Sequence, residues 1–462
     1  MGSITRGRLL WTPYPWKAGF CITDDTDAAD MESVRIVYDL LRDLNLPTTK
    51  TVWPLLPVEP SGIPPTPPST LEGITLEDPV YRAYCQELGR SGFEIALHGA
   101  SAGNNVRSRT IEAFSILQNE FGDGGTFICH SKNAENIYWE ENCTSNPAER
   151  MLLRLFSRHK AFGEDEGSPY FWGDISLEKV SQIRLFRTRS TNTLSVNPSM
   201  PYYDEAKPYV RSWFSATKRS FHDCTTPEAL DRLVTENGLT VLYQYMHRYA
   251  RKEERKVAEI FQQDAERLAN DSRVLVAPTS RMMERLRHIQ GLFVGHRGDH
   301  LYLINTNSLP LDDVQIELPS SITLHRSEAT DAVNVHSEPG LVRVESIPAE
   351  GTIVLPLSSP ITISSRRSFR FDSSGRGEHD VGHGTFRATL TKENERVRWE
   401  LLFPSGLEGL RPMSRIDEGE RRRLFYAQAG IILRELIRGN RHLNYQKFLG
   451  NAVRPLEDHQ NW

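Results

Sequence analysis

The sequence lacks the features that mark a disulfide scaffold, a cysteine zinc site or a membrane protein. Its five cysteines are scattered and odd in number, and no two of them form a CxxC pair, which argues against a disulfide framework or a cysteine metal site. No apolar run approaches the ~20 residues of a membrane span, and the first residues show no signal-peptide pattern. Because unpaired cysteines also favour a reducing compartment, we expect a cytoplasmic protein with no membrane span.

A basic surplus is also missing. The chain has 55 Lys and Arg residues against 60 Asp and Glu residues, a formal net charge of −5. Nucleic-acid-binding proteins usually carry an excess of positive charge, so we do not expect nucleic acid as a partner. At 462 residues the chain is too long for one ordinary core, and two or three domains are expected.

The most informative stretch that is present is Thr-Asp-Asp-Thr-Asp at 23–27, directly after the apolar run 18–22. Two adjacent carboxylates at the end of a buried strand are costly to desolvate unless a cation or a proton lies between them. Asp30 is well placed to cap the following helix, so capping does not explain Asp24 and Asp25. Sites in α/β proteins are built at the carboxyl ends of strands, and we therefore predict a chemical role for this pair.

From about residue 17 to 285, short strand-like runs alternate with helical patterns. Repeated β-then-α units favour parallel strands with helical crossovers, and about seven units predict an α/β fold of the (β/α) barrel type over 1–290, possibly seven-stranded. Short alternating strands then predict a small β-sandwich over 291–358. After a Ser-rich linker at 358–368, the region 359–462 is expected to be a mixed α+β part that carries no motif linked to chemistry.

Three of the predicted barrel strands end at or near a histidine, namely His98, His130 and His247. Parallel strands deliver the residues at their carboxyl ends to one rim of a barrel. The three histidines and the Asp pair are therefore expected to converge, which predicts an active site at that rim.

The order of these motifs resembles a known superfamily. A strand ending in Asp-Asp, Glu-Ile-Ala-Leu-His at 94–98 and a late strand ending in His are similar to the polysaccharide deacetylases (NodB-like, carbohydrate esterase 4), over roughly residues 15–285. The stretches 130–139, 167–174 and 197–202 resemble an uncharacterised bacterial branch of that superfamily. The resemblance implies a metal-dependent hydrolase that removes acetyl groups from an N-acetylated sugar or polysaccharide.

The same resemblance implies roles for individual residues. Asp24 corresponds to the general base, and Asp25 and His98 correspond to ligands of a divalent metal, with Zn²⁺ as the expected ion. His247 lies where the superfamily carries its acid histidine. An ion held by imidazoles and a carboxylate would activate a water molecule, while a base and an acid would move the protons of amide hydrolysis.

One position departs from the superfamily pattern. The usual second histidine of His-x-x-x-His is Ala102 here, so the expected metal site is incomplete. We expect His130, or alternatively Asn104, to supply the third ligand from the same rim.

Five residues are candidates for substrate contacts, because aromatic rings stack on sugars and polar side chains bind them. Trp139 and Trp172 fit a packed core equally well, and Arg187, with Arg189, would suit an anionic substrate or pair with the site carboxylates. The candidates are Asn133, Asn136, Trp139, Trp172 and Arg187.

Two alternative functions stay open. A metal-free glycoside hydrolase would use Asp24 and a second acid, with Asp27, Glu135 and Asp174 as candidates, and a retaining mechanism requires the two carboxyl groups ~5 Å apart. A catalytically inactive carbohydrate-binding protein would instead act in a polysaccharide biosynthesis assembly, with a partner protein bound through the C-terminal region.

Overall fold

The structure is a computed structural model that describes residues 5–59, 73–122, 125–130, 133–156, 160–325, 334–382, 384–391, 397–403 and 413–449. The strands up to residue 290 are β1 (Thr5–Leu10), β2 (Ala18–Asp24), β3 (Thr49–Val52), β4 (Glu94–Leu97), β5 (Thr126–Phe127), β6 (Gln182–Thr188), β7 (Tyr202–Tyr203), β8 (Trp213–Thr217), β9 (Leu239–Gln244), β10 (Ala250–Arg251), β11 (Lys256–Val257) and β12 (Val274–Val276). The helices of this region are α1 (Met31–Asp43), α2 (Pro79–Arg90), α3 (Arg107–Phe121), α4 (Pro147–Phe156), α5 (Gly173–Lys179), α6 (Thr193–Val196), α7 (Phe221–Thr225), α8 (Pro227–Glu236), α9 (Glu259–Asn270) and α10 (Thr279–Gln290).

Seven parallel strands close into a barrel in the order β2–β3–β4–β5–β6–β8–β9, and β9 pairs back onto β2. This confirms the predicted seven-stranded (β/α) barrel. The short strand β12 runs beside the first half of β2, where Val274 lies opposite Ala18. All seven carboxyl ends therefore open on one rim.

Side chains on β2 alternate between the barrel interior and the helix layer outside it. Cys21 belongs to the interior cluster that also contains Tyr243 of β9, whereas Phe20 packs in the cluster beneath the surrounding helices. Successive residues at the end of this strand consequently point to opposite sides. Asp24 faces the helix layer, and Asp25 faces the interior.

The charged helix predicted over about 252–270 is shorter than expected. Residues 250–257 form the small β10–β11 hairpin, and α9 begins only at Glu259. Arg255 takes a left-handed backbone conformation with φ 51° at the turn, which interrupts a helix at that point.

The strands after residue 290 are β13 (Leu292–Arg297), β14 (His300–Asn305), β15 (Leu311–Glu317), β16 (Val335–Glu338), β17 (Leu341–Ile347), β18 (Thr352–Pro356), β19 (Ile361–Ser364), β20 (Ser368–Arg370), β21 (Arg376–Asp380), β22 (Thr385–Leu390), β23 (Val397–Leu402) and β24 (Ser414–Arg415), followed by helix α11 (Glu418–Leu449). A five-stranded sheet, β16–β17–β15–β1–β19, shares a hydrophobic core with the four-stranded sheet β18–β14–β13–β20. This sandwich-like pair and the small sheet β21–β22–β23 agree with the predicted change of fold after the barrel.

Two features of this region differ from the sequence interpretation. The Ser-rich segment 358–368 is not a plain linker, because it contains β19 and the start of β20, and both strands pair with their sheets. The N-terminal strand β1 also pairs with β15 and β19, so the chain starts in the sandwich before it enters the barrel. The domain boundaries at 290 and 358 stay predictions.

Helix α11 packs against the barrel rather than standing apart. The buried Glu420 accepts hydrogen bonds from the backbone N–H and the hydroxyl of Ser199, and Gln428 accepts one from the backbone N–H of Arg187 at 2.9 Å. Among the described helices, none has the length and apolarity needed to cross a bilayer.

Candidate metal centre

Asp27, His98 and His130 form a compact cluster at the carboxyl rim of the barrel. The Nε2 atom of His98 lies 3.1 Å from one carboxylate oxygen of Asp27, and the Nε2 atom of His130 lies 2.8 Å from the other. One ligand atom from each residue falls within 4.8 Å of the others. The histidine side chains are 1% and 9% exposed and that of Asp27 is 28% exposed, so the cluster opens to solvent through Asp27.

Three loops bring these side chains together. His98 directly follows β4, and His130 comes three residues after the end of β5. Asp27 lies in a tight turn after β2, in which the N–H of Ala29 donates to the carbonyl of Thr26 and Ala28 has a φ of 59°. The turn directs Asp27 back over the mouth of the barrel.

The second ring nitrogen of each histidine fixes its tautomer. Nδ1 of His98 lies 3.0 Å from the carbonyl oxygen of Ile128, and a carbonyl can only accept a hydrogen bond. Nδ1 of His130 lies 2.9 Å from Oδ1 of Asn133, whose Nδ2 donates to the carbonyl of Ser101. Both rings thus carry a proton on Nδ1, which leaves Nε2 of each ring, facing Asp27, for a second proton or a metal ion.

Two unprotonated Nε2 atoms would repel this carboxylate, so a proton or a metal ion must lie between them. Neutral imidazoles and a carboxylate are ordinary ligands of Zn²⁺, and metal-bound histidines typically donate their other N–H to a carbonyl or amide oxygen, as both do here. Ligand atoms at tetrahedral bond lengths of about 2.0–2.1 Å stand about 3.3 Å apart, and one ligand atom from each of these side chains lies within 4.8 Å of the other two. The three side chains therefore fit a divalent metal ion.

Charges in the cluster are strongly coupled. Burial raises the pKa of Asp27, but the charges of His130 and His98 outweigh it and bring the pKa well below its usual range. Burial lowers the pKa of His130, yet the charge and hydrogen bond of Asp27 raise it above its ordinary value. In the absence of a metal, a proton on His130 is thus the positive charge that Asp27 favours.

Asp25 lies beside this cluster but faces another partner. Its two carboxylate oxygens accept a bidentate pair of hydrogen bonds from the buried Arg184, both at 2.8 Å. The guanidinium stacks over the ring of Tyr243 at 4.2 Å. One oxygen of Asp25 is 3.8 Å from Nε2 of His98. The sequence predicted Asp25 as a metal ligand, whereas the group with ligand geometry contains Asp27 instead.

Asp24 is separated from the cluster by the strand itself. Its carboxylate accepts hydrogen bonds from the hydroxyl of Tyr38 at 2.7 Å and the backbone N–H of Met246 at 2.8 Å. The ammonium group of Lys50 lies 3.0 Å away, and the two charged side chains are 1% and 0% exposed. Asp24 is thus a buried acid paired with Lys50 between the barrel and α1, and its role as general base stays a prediction.

His247 lies in the turn after β9, on the same outer side as Asp24. Burial lowers its pKa, and the charges that act on it include those of Asp24 and Lys50. Its Nδ1 atom has no hydrogen-bond partner among the described residues. Its catalytic role stays a prediction. Tyr245, two residues earlier, instead feels the charges of Asp27 and Asp25, which together with burial raise its pKa.

Four of the predicted substrate contacts fall into two groups: residues that hold His130 in place and residues of the hydrophobic core. Asn133 and Asn136 hold His130, the first through its ring and the second through its backbone carbonyl. Trp172 is fully buried against Phe127, with ring centroids 5.0 Å apart, and Trp139 is 7% exposed within the hydrophobic core. These two tryptophans pack inside the protein and present no stacking surface for a sugar.

The remaining candidates lie apart from the cluster. Arg187 is half-buried and contacts Gln428 of α11. Asn104 accepts a hydrogen bond from the N–H of Ala134 at 2.9 Å, so it anchors a loop and leaves the ligand position to His130. Asp174 pairs with Arg107 at 2.6 Å on an exposed surface.

Glu135 is a buried acid that reaches the metal centre through one amide. It accepts hydrogen bonds from Nδ2 of Asn133 at 2.9 Å and from the side chain and backbone N–H of Asn105 at 2.6 and 3.0 Å. Burial raises its pKa to about 7. Gly99, with φ +80°, leaves room for this contact, since a Cβ there would lie 3.3 Å from Nδ2 of Asn133. Glu135 thus orients the amide that holds His130.

Sequence reasoning missed Arg184, Lys50 and the role of Glu135. It considered Asp27 only as an acid for a glycosidase. Strand alternation was the available signal for these residues. Asp25 and Arg184 occupy inward positions, and Asp27, two places beyond Asp25, lies on the same side after the turn.

Comparisons with known proteins give little further guidance. No model of a protein family matches the chain, and no curated protein matches it. Among solved structures, the chain is similar to a tri-modular GH5 (subfamily 4) endo-β-1,4-glucanase from Bacillus licheniformis, complexed with cellotetraose. The identity is 9%, the coverage is 76% of this chain and 78% of that chain, and the TM-score is 0.25. A TM-score this low carries no argument about function.

We predict that Lys50→Met destabilises the protein by about 3–5 kcal/mol, because it leaves the buried Asp24 carboxylate without its cation. Urea unfolding measures this change. The double variant Asp24→Asn/Lys50→Met removes both charges and is expected to recover much of the loss. A single Lys50→Met variant as stable as the wild type would show that the pair contributes nothing to folding.

We also predict that Glu135→Gln weakens Zn²⁺ binding by roughly 10–100-fold, the usual effect of losing a group that orients a metal ligand. Competition with a chelator measures the dissociation constant. Glu164→Gln is the matched control, since Glu164 is another largely buried acid, bound to Tyr138 and Asn142. Equal affinities in the two variants would contradict the role given to Glu135.

Proposed function

We propose that this protein is a metal-dependent hydrolase that removes acetyl groups from an N-acetylated sugar or polysaccharide. The observation that carries the proposal is the Asp27–His98–His130 cluster at the carboxyl rim of the barrel, in which two Nε2 atoms face one carboxylate while each Nδ1 is engaged elsewhere. The sequence resemblance to polysaccharide deacetylases contributes the substrate class.

In this proposal Asp27, His98 and His130 hold the divalent ion, with Zn²⁺ as the expected metal. When bound there, such an ion lowers the pKa of a water molecule and polarises a carbonyl group. The partly exposed side of Asp27 provides the opening toward solvent and substrate.

Asp25 serves as the general base. One of its oxygens lies 3.8 Å from Nε2 of His98, and the bidentate contact with Arg184 fixes its orientation. It takes the proton of the attacking water and returns it to the leaving amine. This departs from the predicted role of Asp24, which lies on the other side of β2.

Tyr245 orients the substrate carbonyl in this proposal. Its hydroxyl lies 2.6 Å from that of Tyr243, and a pair of hydroxyls can share only one hydrogen bond between them, so one proton remains to be donated. Because its pKa is raised, Tyr245 stays protonated and available as a donor.

The glycosidase alternative has less support from these contacts. Asp24 is paired with the buried Lys50, Glu135 is buried behind Asn133, and Asp174 is paired with Arg107 on the surface. No pair of these acids stands free across an open cleft in the described part of the chain.

Metal analysis combined with acetate release tests the proposal. We expect about one equivalent of zinc or another first-row metal in the wild type, loss of that metal in Asp27→Ala, and its retention in the control Asp24→Asn. Acetate release from N-acetylglucosamine oligomers should fall roughly 10²–10⁴-fold in Asp25→Asn, as expected for loss of a general base. A wild type that takes up no metal after reconstitution would refute the proposal, and metal without acetate release would favour the binding-protein alternative.

The stabilisation by Zn²⁺ is predicted to grow as pH rises from about 5.5 to 7.5, because protons compete with the metal for Nε2 of His98 and His130. The metal-free protein should behave oppositely. The raised pKa of His130 gives a contribution that is present below its unfolded pKa of ~6.5 and is lost as pH rises through the folded pKa. Thermal unfolding with and without Zn²⁺ measures both trends, and a pH-independent difference between them would contradict histidine ligation.

A further inference from the structure

We propose that the substrate carries an anionic group, a carboxylate or phosphate near its acetylated position, which Arg187, Lys218 and Arg248 bind on one side of the barrel mouth. This inference deepens the proposed function and rests on it for the acetylated substrate. We call these three cations the anion side of the mouth.

The anion side is built from three consecutive barrel strands. Arg187 lies one residue before the end of β6, Lys218 directly follows β8, and Arg248 lies in the turn after β9. Strands β6, β8 and β9 are neighbours in the closed sheet. Their carboxyl ends therefore deliver three positive charges to one arc of the rim.

An irregular register in β6 turns two arginines toward the same side. Arg184 pairs with Phe214, and after the shift Arg187 pairs with Ala216. Phe214 and Ala216 both belong to the interior cluster, and paired residues on neighbouring strands share a face. Arg187 therefore lies above Arg184, toward the mouth. Regular alternation would instead place residues three positions apart on opposite faces of the strand.

A tyrosine pair connects the anion side to the metal centre. The ammonium group of Lys218 is 6.0 Å from the ring of Tyr243, and the guanidinium of Arg248 is 4.3 Å from the ring of Tyr245. The two tyrosine hydroxyls are 2.6 Å apart. Tyr245 also feels the charges of Asp27 and Asp25. The anion side and the metal centre therefore border the same tyrosine pair.

Acids and cations are distributed unevenly around the rim. The protein has a net charge of −5, but Asp24 and Asp25 are each paired with a buried cation. Within the described residues, neither Arg187 nor Arg248 forms an ion pair with a carboxylate. Cations at the entrance to a site attract anionic ligands, and arginine is well suited to carboxylate and phosphate groups.

Calorimetric binding to the full chain, zinc-loaded and metal-free, tests this inference. The probes are N-acetylglucosamine, its 6-phosphate, N-acetylmuramic acid, which carries a carboxylate, and inorganic phosphate. We expect at least one charged sugar to bind about tenfold or more tightly than the neutral sugar, with a preference that weakens between about 50 and 500 mM salt. The phosphate and carboxylate probes separate the two sources of the anion.

The double variant Lys218→Gln/Arg248→Gln is expected to bring the affinities of the charged and neutral sugars to within about twofold of each other, because the charged sugars lose their contacts with these cations. Arg35→Gln is the matched control. Arg35 lies on helix α1 and also stacks on a tyrosine, with its guanidinium 5.5 Å from the ring of Tyr84. Equal binding of charged and neutral sugars by the wild type, or a preference that survives the double variant, would overturn the inference.

The two proposals fail separately. Anion preference in a protein without metal uptake or acetate release would refute the hydrolase and retain the anion side of the mouth. Acetate release from neutral and charged sugars alike would retain the hydrolase and refute the anion side.

Discussion

A carboxylate buried at the end of a barrel strand is unfavourable unless a positive charge accompanies it. Three aspartates, Asp24, Asp25 and Asp27, occur within four residues at the end of β2. Asp24 has the ammonium of Lys50, and Asp25 has the guanidinium of Arg184. Both partners carry a permanent charge. Asp27 has two imidazoles whose Nδ1 protons are already engaged, so its positive charge must be a proton or a metal ion. This difference among three nearby acids is the physical basis of the metal centre.

The surrounding structure serves that centre by fixing its ligands. The carbonyl of Ile128 sets the ring of His98, and Asn133 sets the ring of His130 with Glu135 behind it. The indole N–H of Trp53 donates to the backbone carbonyl of His98 at 2.8 Å. These contacts hold the two rings before any ligand arrives, which lowers the cost of organising a site.

The sequence allowed the barrel, its seven strands and the rim to be predicted, because apolar runs and helical spacing report directly on repeated β-then-α units. Strand ends at His98 and His130 also pointed to the rim that holds the candidate metal centre. The individual acids were harder to assign. The sequence interpretation placed Asp24 and Asp25 in one site, whereas adjacent residues of a strand face opposite sides. Strand alternation that starts from the inward-facing Cys21 assigns Asp25 to the interior and Asp24 to the outer side.

Other parts of the site depend on contacts that a single sequence does not reveal. Arg184 reaches Asp25 across 159 positions of the chain, and the shifted register that brings Arg187 to the same face leaves no mark in composition or periodicity. The tryptophans at 139 and 172 were ambiguous for a related reason, since core packing and sugar stacking use the same side chain. Strand β1 was missed because its pairing partners, β15 and β19, lie more than 300 residues away along the chain.

An anomalous-scattering map from crystals grown with Zn²⁺ tests the central claim most directly. The account predicts one strong peak within bonding distance of Asp27, His98 and His130, with Asp25 still paired to Arg184. A peak coordinated by Asp25 in place of Asp27, or a fully loaded crystal with no peak at this rim, would contradict it.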